Sequence, residues 1–406
     1  MSIDHPALSP VPSAVATPLP RVLRPQRAVP ADAVRPTRAD VNLAHLRFNL
    51  RQLQRAAQGA AVWSVLKADG YGHGAKAVAR TLERAGAAGI CVALLEEGIE
   101  LREAGIRVPI LVMSGTFGRA AGELIRHDLT PVVYEPNQVE AIADEVRFQH
   151  ADPVPVHLKI DTGMARLGAL PRDVERLART IQRQPEVELT GVMTHLACAD
   201  AGSESSIHEQ LDQFDAVIAI LRTIGLEPAM RHAANSAGML RTPRALLDMV
   251  RPGIAVFGVE PALGLAPQLR PVMRIHTDVV ALRELEPGQT VGYGATWTAQ
   301  RRSRIATVPM GYADGLSRGL SNRGHLLVRG QRAPIVGVVS MDMTMIDVTD
   351  IEGARLGDEC VVLGEQKGPQ GTAVITATEL AEQLGTIPWE VLTAVSRRVP
   401  RFYREP

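Results

Sequence analysis

Eight short apolar runs of β type, at 61–66, 90–94, 109–113, 130–134, 154–160, 189–194, 229–232 and 248–251, alternate along this chain with stretches of helical periodicity. The helical stretches fall around 46–58, 74–86, 96–104, 118–127, 137–147, 173–184 and 206–224, with a short one from 236. Parallel strands need a crossover between them, most often a helix, and eight such units are enough to close a sheet on itself. The pattern therefore predicts an α/β fold, a (β/α)8 barrel of the TIM type, which presents its chemistry at the carboxyl ends of the strands. After about residue 275 the texture changes to valine-, threonine- and arginine-rich segments of strand length, broken by Pro287-Gly288, Gly311, Gly330, Gly337 and Gly364. That predicts a second, mostly β domain, interrupted by one helix over 377–383. The expected organisation is a flexible Pro-rich tail over 1–36, a barrel over 37–275 and a β-rich C-terminal domain over 276–406.

The tail is set apart by composition. It holds eight of the 28 prolines, with Arg21, Arg24, Arg27 and Arg35 scattered among small residues. Such a segment buries too little apolar surface to order itself; the alternative is a removed targeting segment, since it is poor in acids and carries several arginines. Over the whole chain 44 basic side chains balance 44 acidic ones, so no field draws it to nucleic acid or to an acidic membrane. No apolar run reaches membrane-spanning length and no signal-peptide core is present, which predicts a cytoplasmic protein. Cys91, Cys198 and Cys360 lie far apart without a C-x-x-C spacing, which suits a reducing compartment and argues against a zinc site or a disulfide framework. The partner is expected to be a small molecule.

Polar residues sit at the end of strand after strand: Lys67 and Tyr71 after the first, Asp161 and Arg166 after the fifth, His195 after the sixth, Asn235-Ser236 after the seventh, and Arg251-Pro252-Gly253-Ile254 after the eighth. Each alone has an ordinary explanation, as a snorkelling lysine, a core histidine, a surface ion-pair partner or a helix N-cap. A barrel brings all five strand ends to one mouth, and that convergence decides between the readings. Lys67 ends the apolar run Trp63-Ser64-Val65-Leu66, whose burial lowers an ammonium pKa and leaves nucleophilic amine for imine chemistry. The loops after strands seven and eight are the usual phosphate cradle of such barrels, with Ser236 at a helix start and Gly253 and Ile254 beside it. A lysine for an aldehyde and a cradle for a phosphate describe pyridoxal 5'-phosphate. Arg251 then faces the pyridine nitrogen, and an arginine there weakens the ring as an electron sink where an aspartate would strengthen it.

The run Lys67-Ala68-Asp69-Gly70-Tyr71-Gly72-His73-Gly74 resembles the cofactor-attachment signature of the alanine racemases. The resemblance extends over 37 to about 403, through Lys159-Ile160-Asp161-Thr162-Gly163-Met164-Ala165-Arg166-Leu167-Gly168, Thr194-His195-Leu196-Ala197 with Asp200, Val291-Gly292-Tyr293-Gly294, Gly311-Tyr312-Ala313-Asp314-Gly315, Ser340-Met341-Asp342 and Arg398-Val399-Pro400-Arg401. It implies a homodimer with shared active sites, acting on alanine by a two-base mechanism. Lys67 would hold the cofactor and serve as one base, and Tyr293 of the partner subunit would serve as the other. Tyr71, Asn235, Ser236, Gly253 and Ile254 would bind the cofactor around its phosphate, Arg251 its ring nitrogen, and His195 would link Arg251 to Tyr293. Arg166 and Met341 would bind the substrate carboxylate, Arg166 also meeting the cofactor. Tyr312, Arg318 and Asp200 would line the access path, and Lys159 would be carbamylated and pair with Arg166. No metal is implied.

Two positions depart from the family pattern: Arg397 stands where a phosphate-binding tyrosine is usual, and Ser340 where a cysteine is frequent. Arg397 leaves the last phosphate contact open. A racemase of another or broader amino-acid range shares most of these motifs. A decarboxylase on the same architecture is the other enzyme class, opposed by Arg251 in place of an acidic pyridine partner. A small single-domain cofactor-binding protein is opposed by the β domain carrying Tyr293 and Met341, and a cofactor-free aldolase by the phosphate cradle. Such a racemase serves peptidoglycan synthesis or D-alanine catabolism, and the motifs are shared by both roles.

Overall fold

The computed structural model describes residues 33–117, 120–201, 204–262, 264 and 268–405. Eight parallel strands follow one another around a barrel: Ala61–Val65, Gly89–Val92, Ile110–Val112, Thr130–Val133, Val154–Lys159, Val187–Met193, Met230–His232 and Met249–Val250. Each overlaps one of the eight apolar runs, so the predicted fold class is the observed one. The first strand pairs with both the second and the eighth. Between the seventh and eighth the ring is completed by backbone bonds from Asp248 N to Arg231 O (3.1 Å) and Arg251 N to Ala234 O (3.0 Å). The Asp248 carboxylate, just before the eighth strand, accepts from the backbone and guanidinium of Arg231 in the seventh, clamping the same seam.

The helices form because their apolar positions recur with helical period and face the strands. In Val174–Gln182, for example, Val174, Leu177, Ala178 and Ile181 are buried, at spacings of three and four. Leu43–Ala56 precedes the first barrel strand and packs against the turn Ile254–Phe257 that follows the eighth. Its buried Asn49 donates to Val256 O and Arg270 O and accepts from Arg270 N, fixing the helix across that gap.

The second domain is built on a mixed sheet in the order Gln331–Pro334, His325–Val328, Glu359–Gly368, Met273–Asp278, Arg38–Asn42, Arg401–Arg404, with Gly371–Ile375 paired to Glu359–Gly368. A three-stranded sheet of Ala281–Leu285, Ser303–Val308 and Thr344–Asp347 and a small hairpin of Thr290–Val291 and Trp297–Thr298 complete it. The predicted helix over 377–383 is Ala377–Leu384, and a second one, Pro388–Thr393, follows.

Arg38–Asn42 lies between Met273–Asp278 and Arg401–Arg404, so the first and last strands of the described residues are neighbours in this sheet and its residues fall on both sides of position 275. Residues 1–32, most of the expected tail, lie outside the described residues. Arg35, which that expectation also covered, donates two bonds to the fully buried carboxylate of Asp314, at 2.9 and 2.7 Å.

Candidate active site

Lys67 follows the first barrel strand by two residues, at the carboxyl end of the barrel. The chain does not make an ordinary glycine turn there. Ala68, Asp69, Gly70 and Tyr71 all take left-handed backbone angles, φ 51°, 56°, 61° and 50°. For non-glycine residues that costs roughly 1–2 kcal/mol each, so the turn persists only because its surroundings over-determine it. Glu97 supplies part of that support, accepting from the backbone of Ala68, Ala93 and Leu94. The Asp69 carboxylate accepts from Ala75 N, and Arg401 of the β domain donates to Gly72 O. Gly72 is required where it stands: φ is 79°, and a Cβ would lie 2.3 Å from Leu392 O. Burial is the main force pushing the Lys67 ammonium pKa down, the nearby Arg166 charge adds to it, and Glu97 opposes it.

Above the barrel mouth a cavity of ≈ 120 Å³ is lined by Lys67, Tyr71, His195, Asp200, Asn235, Ser236, Arg251, Gly253 and Ile254, with Met113 and Trp389 among the remaining walls. The strand-end residues of strands one, six, seven and eight therefore share one space. Asn235 caps the helix Ser236–Arg241 by accepting from Gly238 N. Ser236 Oγ accepts from Gly253 N at 2.8 Å and from Ala255 N at 3.4 Å. Gly253 is tight here too, since a Cβ would sit 2.3 Å from Tyr71 Oη. Hydroxyls of Tyr71 and Ser236 and the backbone of Gly253 thus crowd into one corner. Burial keeps the Tyr71 phenol protonated, with its pKa pushed well above the usual range.

Arg251, 2% exposed, lies at the floor. It donates to Thr194 O, Ala233 O and His232 Nδ1, while its buried Nε has no acceptor among the described residues. Among the described residues no carboxylate balances it, and burial pulls its pKa down to about 10, still cationic near neutrality. His195 borders the same cavity, but it is His232, not His195, that receives a bond from Arg251. Burial first, and then Arg251, hold the His195 imidazole well below its ordinary pKa and hence neutral.

Lys159 and Arg166 stand next to this cavity without forming its wall. Lys159 Nζ donates to Met113 O at 3.1 Å, and burial, aided by Arg251 and Arg166, brings its pKa down to about 8. The loop carrying Arg166 wraps around the Asp161 carboxylate, which accepts from the backbone N–H of Gly163, Met164, Ala165 and Arg166. Burial raises the Asp161 pKa, and these four donors outweigh it, so the carboxylate stays ionised below its usual range.

The C-terminal candidates lie elsewhere in the single chain. Tyr293 is 75% exposed on the turn of the small hairpin, and Met341 is 52% exposed. Tyr312 and Arg318 border a separate cavity of ≈ 420 Å³ inside the β domain. Tyr312 N and Ala313 N bond to Ser340 O and Met341 O, tying the turn of Tyr312 to the loop of Met341. Arg397 is exposed and stands outside the lysine cavity.

Reading the sequence alone passed over His232, His157, Glu97 and Trp389. The first two had a visible signal, histidines inside the apolar runs of strands seven and five. Glu97 sits in an ordinary acidic first turn, and Trp389 reaches the cavity only through the packing of the two domains.

A (β/α)8 barrel with a strand-end lysine facing a hydroxyl- and glycine-lined corner, joined to a β domain bearing exposed aromatic and methionine side chains, defines a class of lysine-dependent barrel enzyme. Residues 41–261 match the family model for the alanine racemase N-terminal domain, and residues 272–403 match that for the alanine racemase C-terminal domain. The chain belongs to the alanine racemase family. It is 61% identical over 379 residues to the alanine racemase of Sorangium cellulosum, covering 92% of this chain and 100% of that one. It is 45% identical to that of Symbiobacterium thermophilum, covering 92% and 98%. Solved structures agree: alanine racemase from Streptomyces coelicolor A3(2) superposes with a TM-score of 0.86 at 36% identity, covering 92% and 99% of the two chains. The alanine racemase of Bacillus anthracis, solved with bound L-Ala-P, gives 0.85 at 32% identity, covering 92% and 96%.

Proposed function

We propose that this chain interconverts L-alanine and D-alanine, with pyridoxal 5'-phosphate held through Lys67. The observation that carries the reading is one cavity that brings together a lysine of lowered pKa, the Tyr71–Ser236–Gly253 corner and the unpartnered Nε of a buried arginine. The donor set fits the cofactor: an amine for its aldehyde, hydroxyl and backbone donors for its phosphate with Asn235 and Ile254 shaping the same corner, and Arg251 Nε for its ring nitrogen. When bound, the cofactor acidifies the Cα–H of an attached amino acid by drawing electrons into its ring. Arg251 moderates that draw, because a guanidinium donates a hydrogen bond without giving up its proton.

Racemisation needs one group to take the Cα proton from one face and another to return a proton to the opposite face. Lys67 Nζ serves one face, its neutral fraction raised by burial and by Arg166. Tyr293 of the partner subunit serves the other, which accounts for a tyrosine left exposed in the single chain. His195, which borders the cavity, would link Arg251 to that tyrosine. Arg166 and Met341 of the partner subunit hold the carboxylate. Asp200 in the cavity wall, with Tyr312 and Arg318 from the β domain, lines the approach of a small substrate. Lys159, with an amine largely uncharged at mildly alkaline pH, is suited to carbamylation, which would give Arg166 an anionic partner.

Among the described residues no helix is long and apolar enough to cross a membrane, and all three cysteines are free. We place the enzyme in the cytoplasm as a homodimer. The deciding experiment is a racemisation assay over a panel of L-amino acids by chiral chromatography, with alanine expected to be fastest. Borohydride reduction and peptide mapping should place the pyridoxyl group on Lys67. A label on Lys76 or Lys159 would exclude the assignment.

A further inference from the structure

Beneath the cavity the barrel interior holds a chain of three polar side chains with no acid in it. Arg251 Nη1 bonds to His232 Nδ1, and His232 Nε2 meets His157 Nδ1 at 2.8 Å. Both histidines are fully buried. A guanidinium only donates, so His232 Nδ1 is the acceptor and its proton sits on Nε2. That Nε2–H needs an acceptor, which is His157 Nδ1, so His157 in turn carries its proton on Nε2. The chain ends there, since His157 Nε2 meets no acceptor among the described residues.

The fold makes room for this arrangement at two places. The pairing of strands five and six shifts register between Val156 and His157, a bulge that re-aims the side chain. Strand six has Gly191 beside the imidazole, where a Cβ would lie 2.7 Å from three ring atoms. Burial, reinforced by Arg251, lowers the pKa of both imidazoles, to about 3 in His157, consistent with two neutral rings. The opposite tautomer of His232 would set an N–H against an N–H of Arg251 and leave the guanidinium held only through Nη2, by Thr194 O and Ala233 O.

We propose that His157 and His232 are positioning residues for Arg251: His157 selects the tautomer of His232, and His232 so fixed orients the guanidinium with Nε free for an acceptor in the cavity. The inference rests on the reading that Arg251 serves the ring nitrogen of the cofactor. It extends that reading by two residues into the barrel, to a side chain that touches neither cofactor nor substrate.

The test begins with the holoenzyme carrying ¹⁵N-labelled histidine. His232 is expected with a bare Nδ1 and a protonated Nε2, and a through-bond coupling from that N–H to His157 Nδ1. A protonated Nδ1 overturns the proposal, and this readout is independent of whether wild type racemises alanine, which tests the underlying function separately. Two variants follow. His157→Leu removes the acceptor and should mix the His232 tautomers and lower kcat on the order of tenfold with KM for alanine little changed. His157→Asn, whose Oδ1 takes the place of Nδ1, should restore the single tautomer and most of kcat. A Leu variant with unmixed His232 and wild-type kcat, or an Asn variant that keeps the tautomer yet loses as much kcat as Leu, overturns it. If His157→Leu fails to fold, the wild-type spectrum and the Asn variant still decide.

Discussion

Lys67→Ala and Tyr293→Ala are each expected to abolish racemisation, and mixing the two dead proteins is expected to bring activity back. The reason lies in where the two residues stand. Lys67 lines the cavity of its own barrel, while Tyr293 is 75% exposed on a hairpin turn and forms no part of that cavity wall. If the second base comes from the partner, a mixed dimer collects both defects in one site and none in the other. Random reassociation makes about half the dimers mixed, each with one of its two sites intact, so the recovered activity should approach roughly a quarter of wild type for an isologous pair. The assay is alanine racemisation after dissociation and reassociation, with the mixed dimer quantified by native mass spectrometry. If each chain used its own Lys67 and Tyr293, every site would retain one defect. Persistent inactivity with the mixed dimer present refutes the shared site.

Replacing Arg251 with Glu should slow racemisation while raising long-wavelength absorbance and transamination of the loaded enzyme; unchanged rate and spectrum would remove Arg251 from the ring-nitrogen role. The Lys159 amine has its pKa lowered from 10.5 to about 8 in the fold, so between those values the unfolded chain binds more protons and stability rises with pH. The cost is therefore fully present below about pH 8. It amounts to at most roughly 3 kcal/mol. In carbonate-free buffer the stability gap between Lys159→Met and wild-type apoprotein should move against the variant as pH rises from 7.5 to 10.5 in denaturant titrations, and a gap that stays constant contradicts the assignment. Gly191→Ala would drive a Cβ to 2.7 Å from the His157 ring, overpacking worth about 1–3 kcal/mol. A variant that melts at the wild-type temperature would show that the ring has room to move.

Much of this protein is written locally. The eight barrel strands coincide with apolar runs because a strand buried on both faces is apolar at most of its positions, and the helices show because one face of each is buried. The strand-end residues were legible for a related reason: once the runs are recognised, barrel geometry sends their carboxyl ends to one mouth. In the structure Lys67, Tyr71, His195, Asn235, Ser236, Arg251, Gly253 and Ile254 border one cavity, although their places along the chain span nearly two hundred residues.

What only the tertiary structure decided are pairings between distant segments that no local pattern encodes. Arg38–Asn42 is not among the runs read as strands from the sequence, and its place between Met273–Asp278 and Arg401–Arg404 follows from the edges those strands offer. Arg35 reads as part of a proline-rich tail until the buried carboxylate of Asp314 supplies a partner for it. The seating of Arg251 belongs here as well. Its strand-end position is a local property, but the acceptors that hold it come from strand seven and from the ends of strands six and seven, and His157 on strand five stands behind them. Sequence determined which residues have the chemistry, because side-chain type and strand period are local. Burial, tautomer and partner were decided by the closed barrel, because a charge without a carboxylate beside it is tolerated only where fixed dipoles from several strands converge on it.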